Sequence, residues 1–288
     1  MPFPPPPELL EAAREAARAG AMRLMEYWRS LEPSEIHEKA RNDLVTAADR
    51  ASEEAVVTVL RDRFPTSTVL AEESGLSGGP EGGGLTWIVD PLDGTTNFVH
   101  GFPHFAVSVA AAAGDRLLAG VILDPVKGDL FAAAEGAGAT WNGRPCRVGT
   151  RKGLAGAFLA TGFPFKAHRL LDPYLAIFHD LFLEAKAIRR PGAAALDLAY
   201  VAAGIFDGFF EFQLAPWDLA AGVLMVREAG GVVTDMEGGG RFLESGDVIA
   251  GVPAVQGEML RVVARHRPAW RPSRGTSGER GILAPGER

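Results

Sequence analysis

A single cysteine, Cys146, stands in 288 residues, so no intramolecular disulfide can form, and no cluster of Cys or His has zinc-site spacing. A reducing cytoplasm is the expected setting. The chain also lacks any surplus of positive charge, since 29 Lys and Arg against 36 Asp and Glu leave −7. Basic faces supply most of the non-specific affinity for nucleic acid, so direct contact with nucleic acid is not expected. No apolar run approaches the ~20 residues of a membrane span. The opening MPFPPPPELL has no basic region followed by an apolar core. Neither export by that route nor membrane insertion is expected. What is present is an ordinary apolar share, 47%, on a chain long enough to bury a large core.

Apolar periodicity predicts helices over 8–28, 47–64, 173–183, 193–203 and 217–228, and strands over 66–70, 85–90, 155–161, 185–190, 205–212 and 230–235. Three short apolar runs, FAVSVAAAA, LLAGVILDP and DLFAAA, are punctuated by Gly-Asp and Lys-Gly-Asp, which predicts an antiparallel meander over 105–134. The stretch GLSGGPEGGG reads as a mobile loop. Helices alternating with strands predict an α/β (α+β) architecture of packed layers. The expected organisation is one domain over 1–265 with two intimately packed halves. A disordered tail over 266–288, rich in Arg, Gly, Pro and Ser, is expected to follow.

Acidic residues collect where strands stop. Glu72 and Glu73 follow TVLA, Asp90 and Asp93 close LTWIVDPLD, and Asp218 opens a helix after FFEFQLAPW. The same letters are sound turn and cap chemistry, because Asp caps its own backbone and Gly takes positive φ. Brought together, however, such carboxylates would repel and take up protons unless a divalent cation sat among them. Hard oxygen ligands favour magnesium, manganese or calcium over zinc. Gly94, Thr95, Thr96 and Asn97 read as the opening of a short helix, with Thr hydroxyls as caps and backbone N–H groups available to a phosphate.

AEES at 71–74, WIVDPLDGTTNF at 87–98 and PWDLAAGVLMVREAGGVVTD at 216–235 resemble the signature elements of the inositol monophosphatase family. NDLVTAAD at 42–49 and RRPGAAALDLAYVAAG at 189–204 are similar to its bacterial branch. The resemblance implies a layered αβαβα sandwich, a homodimer, and a lithium-sensitive phosphomonoesterase with two to three Mg2+ per site. Mn2+ would substitute and Ca2+ would inhibit. Carried over by position, Glu72, Asp90 and the Leu92 carbonyl would hold one metal, and Asp90, Asp93 and Asp218 a second. Water activated there would attack phosphorus in line, oriented by Thr95 with Asp49. Gly94 and Thr95 would hold the phosphate, while Asp93, Gly192, Ala194, Glu211 and Asp218 would contact the alcohol. Lys39 matches a lysine of a mobile loop that approaches the metals.

One departure stands out: Ala193 occupies a position where a hydroxyl residue is usual. The resemblance favours myo-inositol 1-phosphate or a related phosphorylated polyol or sugar. Fructose 1,6-bisphosphate, histidinol phosphate and nucleotide 3′-phosphates are alternatives on the same site. Arg189 and Arg190 are the paired basic candidates for a second phosphate. A regulatory partner of the transcription machinery is a further alternative. His100 and His104 flank Phe102-Pro103 and read as turn packing, Trp87 and Trp217 as core, and Cys146 as structural.

Overall fold

The computed structural model describes residues 3–40, 43–79 and 84–270. Its first layer is two helices, α1 (Pro6–Tyr27) and α2 (Ala47–Arg63), joined through a hairpin of β1 (Ile36–Ala40) and β2 (Asp43–Thr46). An eight-stranded sheet lies beneath, built from β3 (Thr68–Ala71), β4 (Gly75–Gly78), β5 (Leu85–Asp93), β6 (Ala106–Ala113), β7 (Arg116–Asp124), β8 (Asp129–Ala134), β9 (Gly138–Trp141) and β10 (Arg144–Pro145). The short helix α3 (Thr95–Val99) sits between β5 and β6.

The second half adds β11 (Phe158–Thr161), α4 (Leu171–Glu184), β12 (Ala187–Arg189), α5 (Ala194–Ala202), β13 (Gly208–Glu211), α6 (Pro216–Glu228), β14 (Val232–Thr234), α7 (Phe242–Ser245), β15 (Val248–Gly251) and α8 (Pro253–Trp270). Its five strands form a second sheet in the order β12-β11-β13-β15-β14.

Alternation along β5 and β6 explains the layering. Trp87, Val89, Val107, Val109 and Ala111 point into a core shared with α1 and α2. Ile88, Ala106, Ala110 and Ala112 point the other way, into a core shared with α5 and α6. A strand buried on both faces must be apolar at every position, so FAVSVAAAA carries no visible period. The far face of the second sheet packs Leu159, Phe210 and Ile249 against Tyr174 and Ile177 of α4 and Val255 and Met259 of α8. Three cores thus fill the four interfaces of five layers, the central one covering both sides of α5 and α6, and the expected αβαβα sandwich is the fold. Contact between α6 and the first sheet is close: a methyl group on Gly120 would lie 2.9 Å from the Ala221 Cα.

The predicted meander is present, with β6, β7 and β8 antiparallel in sequence order. Three expectations change. The segment holding Lys39 is strand β1 rather than a loop, because Ile36–Ala40 pairs with Asp43–Thr46; the Lys39 side chain lies outside the described residues. Residues 75–78 of the expected loop pair with β3 as an edge strand, and 80–83 lie outside the described residues. Helix α8 runs through Trp270, so the first residues of the expected tail are helical, and 271–288 lie outside the described residues. Among the described residues no helix is long and apolar enough to cross a membrane.

Candidate active site

Asp90 and Asp93 are three residues apart, and strict pleating would send them to opposite faces. A bulge resolves this. Asp90 pairs with Ser108 and Asp93 with Ala106, so three steps on β5 are matched by two on β6. The packing records the flip: even-numbered Ile88 faces α5 and α6, whereas even-numbered Leu92 faces α1 and α2. Both carboxylates therefore reach the side from which α6 presents Asp218. Ligand oxygens of Asp90, Asp93 and Asp218 lie within 4.8 Å of one another.

Local hydrogen bonds fix each of the three. Asp90 Oδ1 accepts from the Leu92 amide at 2.9 Å, closing the turn at Pro91. Asp93 Oδ2 accepts from the Ala195 amide at 2.8 Å, tying β5 to the first turn of α5. Asp218 Oδ2 accepts from the Ala215 amide at 2.7 Å, which caps α6 at its N-terminus. Glu72 follows β3 on a turn clamped by Glu53, whose carboxylate accepts from the Glu73 and Ser74 amides at 2.8 and 2.9 Å. Glu72 is not part of the tight group of three, but it faces the same cavity.

Helix α2 begins with a Thr-x-x-Asp box, in which the Thr46 hydroxyl accepts from the Asp49 amide and Asp49 Oδ2 accepts from the Thr46 amide. That box occupies Oδ2 and leaves Oδ1, which accepts from the Thr95 hydroxyl at 3.2 Å. The Leu92 carbonyl competes for the same proton at 3.1 Å. Thr95 was expected as a helix cap, yet the N-cap of α3 is Gly94, at φ 95°, with no side-chain cap bond. Glycine is required there twice over, by the left-handed backbone and because a Cβ would sit 3.1 Å from the His104 carbonyl oxygen. The Thr95 side chain is thereby free to engage Asp49.

A cavity of about 740 Å3 opens over these groups. Glu72, Asp90, Leu92, Asp93, Gly94 and Thr95 from the first half of the chain line it, together with Gly192, Ala194, Glu211 and Asp218 from the second. Asp49 lies behind Thr95, outside the lining. The Asn97 amide stitches the two halves together, donating to the His104 carbonyl at 2.7 Å and the Pro191 carbonyl at 3.0 Å. Of the two arginines weighed for a second phosphate, Arg190 lines the cavity, its guanidinium 5.7 and 5.1 Å from the Phe163 and Phe165 rings. Arg189 turns away, 5.0 Å from the Phe158 ring. Ala193 is the N-cap of α5 and leaves that end without a side-chain cap.

The remaining residues pack chiefly into the cores. Trp87 is fully buried, and Trp217 is partly buried against the central core and also lines the cavity. Cys146 is buried in the same core. His104 stacks on Tyr200, with ring centroids 6.3 Å apart, and burial lowers its pKa to about 4. Sequence reasoning missed Glu53, which shapes the Glu72 turn, and Asp197 of α5, which lines the cavity.

Burial dominates the electrostatics. It raises Asp90 well above the ordinary carboxylate range, and Glu72, Asp93 and Asp218 add like charge. Asp93 is raised for the same reasons, with Asp218 its strongest charged neighbour. Burial pushes Glu211 up to about 8, with Arg190 opposing, and Asp49 up to about 6, with Thr46 opposing. Two buried carboxyls and a half-buried third, converging within 4.8 Å, form a donor set suited to a hard divalent cation.

The sign of the pH dependence follows. Carboxyls raised in the fold hold protons that the unfolded chain has lost, so the ion-free protein loses stability as pH rises from about 4 towards 8. A cation competes with those protons, so its binding weakens as pH falls and releases protons. Thermal denaturation with EDTA should show Tm falling from about pH 5 to about pH 8, with magnesium raising Tm more at the higher pH. An equal magnesium shift at both pH values would contradict this assignment of the charge.

Residues 6–268 match the inositol monophosphatase family. The Nus factor SuhB of Pseudomonas aeruginosa is 46% identical over 263 residues, covering 90% of this chain and 97% of that one. The crystal structure of extragenic suppressor protein suhB from Bartonella henselae superposes with a TM-score of 0.84 at 41% identity, covering 89% of this chain and 98% of that one. Inositol monophosphatase from Anabaena superposes with a TM-score of 0.80 at 37% identity, covering 90% and 96%. With a match across nearly its whole described length, the chain belongs to the inositol monophosphatase family.

Proposed function

We propose that this chain is a cytoplasmic, magnesium-dependent phosphomonoesterase of small phosphorylated polyols, with myo-inositol 1-phosphate as its preferred ester. The observation that carries the reading is the tight group of Asp90, Asp93 and Asp218, lining a cavity large enough for a sugar phosphate. In this reading Glu72, Asp90 and the Leu92 carbonyl hold one Mg2+, and Asp90, Asp93 and Asp218 hold another. Bound there, the cations would neutralise phosphate charge, polarise the attacking water and stabilise the leaving alkoxide.

The chain's own groups position the reactants. The Thr95 hydroxyl donates to Asp49, so the Thr95 oxygen is left to accept a hydrogen bond from the attacking water and to orient that water's lone pair towards phosphorus. The amides of Gly94 and Thr95 hold the phosphate oxygens. Asp93, Gly192, Ala194, Glu211 and Asp218 contact the alcohol. A homodimer, lithium and calcium inhibition, and replacement of Mg2+ by Mn2+ belong to the same proposal.

The test is phosphate release from inositol 1-phosphate, fructose 1,6-bisphosphate, histidinol phosphate and adenosine 3′,5′-bisphosphate, with magnesium and with EDTA. We expect magnesium-dependent turnover, fastest on inositol 1-phosphate. No release from any of the four would overturn the reading. One observation favours a second role: the 46% identical relative is named a Nus factor. A partner in the transcription machinery is therefore proposed alongside catalysis, and co-purification with RNA polymerase or its elongation factors tests it.

A further inference from the structure

Asp197 is 1% exposed on α5, and its Oδ1 has no hydrogen-bond partner among the described residues. An unpaired buried carboxyl is costly, and native structures rarely keep one without a partner that arrives from outside the fold. Its neighbours Leu196, Leu198, Ala199 and Val201 are buried apolar residues, so a leucine at 197 would simply extend the core. The helix gains nothing from the acid. The cavity is what Asp197 shares with Glu211 of β13 and with Arg190, which follows β12.

Asp197, Glu211 and Arg190 all line the cavity, where Glu211 is the strongest like charge acting on Asp197 and Arg190 the opposing one. They form a second polar group beyond the tight one of Asp90, Asp93 and Asp218. The N-cap of α5 adds no hydroxyl to that end of the cavity, because Ala193 and Ala194 stand there. Asp197 and Glu211 are carboxyls able to hydrogen-bond what the cavity holds.

We propose that Asp197 reads a hydroxyl of the leaving alcohol, and that with Glu211 it forms a two-carboxyl subsite selecting polyol phosphates over phosphate esters without a further hydroxyl. This rests on the phosphatase reading. Two carboxyls lining one cavity offer several acceptor oxygens, which suits a hydroxyl that must give a hydrogen bond. An alcohol without that hydroxyl leaves Asp197 unpaired in the complex, and such mismatches discriminate strongly.

The experiment pairs two probes, inositol 1-phosphate and inorganic phosphate, whose affinities are measured by calorimetry with calcium replacing magnesium to hold turnover off. The wild type should bind inositol 1-phosphate more tightly than phosphate, and Asp197→Leu should shrink that ratio about tenfold, the worth of one such hydrogen bond. Asp197→Asn, which still donates and accepts, should keep the ratio within about threefold. Under magnesium, the selectivity of Asp197→Leu for inositol 1-phosphate over 4-nitrophenyl phosphate should fall about tenfold, through KM rather than kcat. Asp197→Leu should also raise Tm, and Asp197→Ala carries the same binding expectation if the leucine variant does not accumulate.

A raised Tm with an unchanged affinity ratio would assign Asp197 a buried water and overturn the proposal. So would a wild type that binds both probes equally, or a variant that loses both in parallel. Failure of the wild type to turn over any ester would remove the phosphatase reading alone, since the affinity ratio is read without turnover.

Discussion

Asp93→Asn stops phosphate release and leaves the protein at least as stable as the wild type. The variant keeps the shape of the side chain and an oxygen that can still accept from the Ala195 amide. It removes one negative charge from a buried group that already holds Asp90 and Asp218. A neutral amide is a poor ligand for a hard cation, so turnover should drop on the order of 10³-fold, comparable to deleting a principal electrostatic stabiliser. Stability should move the other way in EDTA, because burial and like charge raise Asp93 in the wild type. The gain should be a few degrees in Tm, about 1 kcal/mol or less. Phosphate release and Tm, each with magnesium and with EDTA, decide the matter. Activity within tenfold of wild type would take Asp93 out of the proposed metal site, and a large loss of Tm would make it a structural residue.

Thr95→Ala gives the second largest effect. The Thr95 hydroxyl is the link between Asp49 and the cavity, and alanine breaks it without touching the Thr46–Asp49 box that starts α2. Losing the group that orients water should lower kcat by about 10²-fold with little change in KM. Thr95→Ser should recover most of the rate. Asp49, raised to about 6, supplies the pH signature. A carboxyl with a raised pKa is protonated below that value, so it ceases to draw the Thr95 proton as pH falls through about 6, and kcat should fall with it. Thr95→Ala should lack that acid limb. An alanine variant with wild-type kcat, or one that retains the limb, would assign the water to another group.

Much of this site was legible because its residues carry local signals. Asp90, Asp93 and Asp218 stand beside strand ends or a helix start, and Asp90 and Asp218 each also make a local or capping hydrogen bond that the turn chemistry predicts. Asp197 gave no such signal. In AAALDLAYVA a lone acid among apolar residues reads as the wet edge of a helix, and only the folded arrangement shows it buried with its neighbours. The capping role expected of Thr95 failed for a related reason: the hydroxyl had a partner 46 residues away in sequence, beyond the reach of any window. The β1 and β2 hairpin was missed because IHEKA and DLVT are short and mostly polar, so their pairing rests on backbone bonds rather than on an apolar face. The same holds for β15, whose VIAG run is buried on both sides and too brief to show a period.

The extra residue that β5 carries against β6 makes the site a matter of parity. Substitutions around Pro91 can tune how the carboxylates bind, yet any of them leaves both on one face. An insertion or deletion of a single residue there would change odd to even and send one carboxylate into the opposite core. The ability to gather the charge is thus inherited as a count rather than as a set of letters, and it can be lost through a length change that alters neither aspartate.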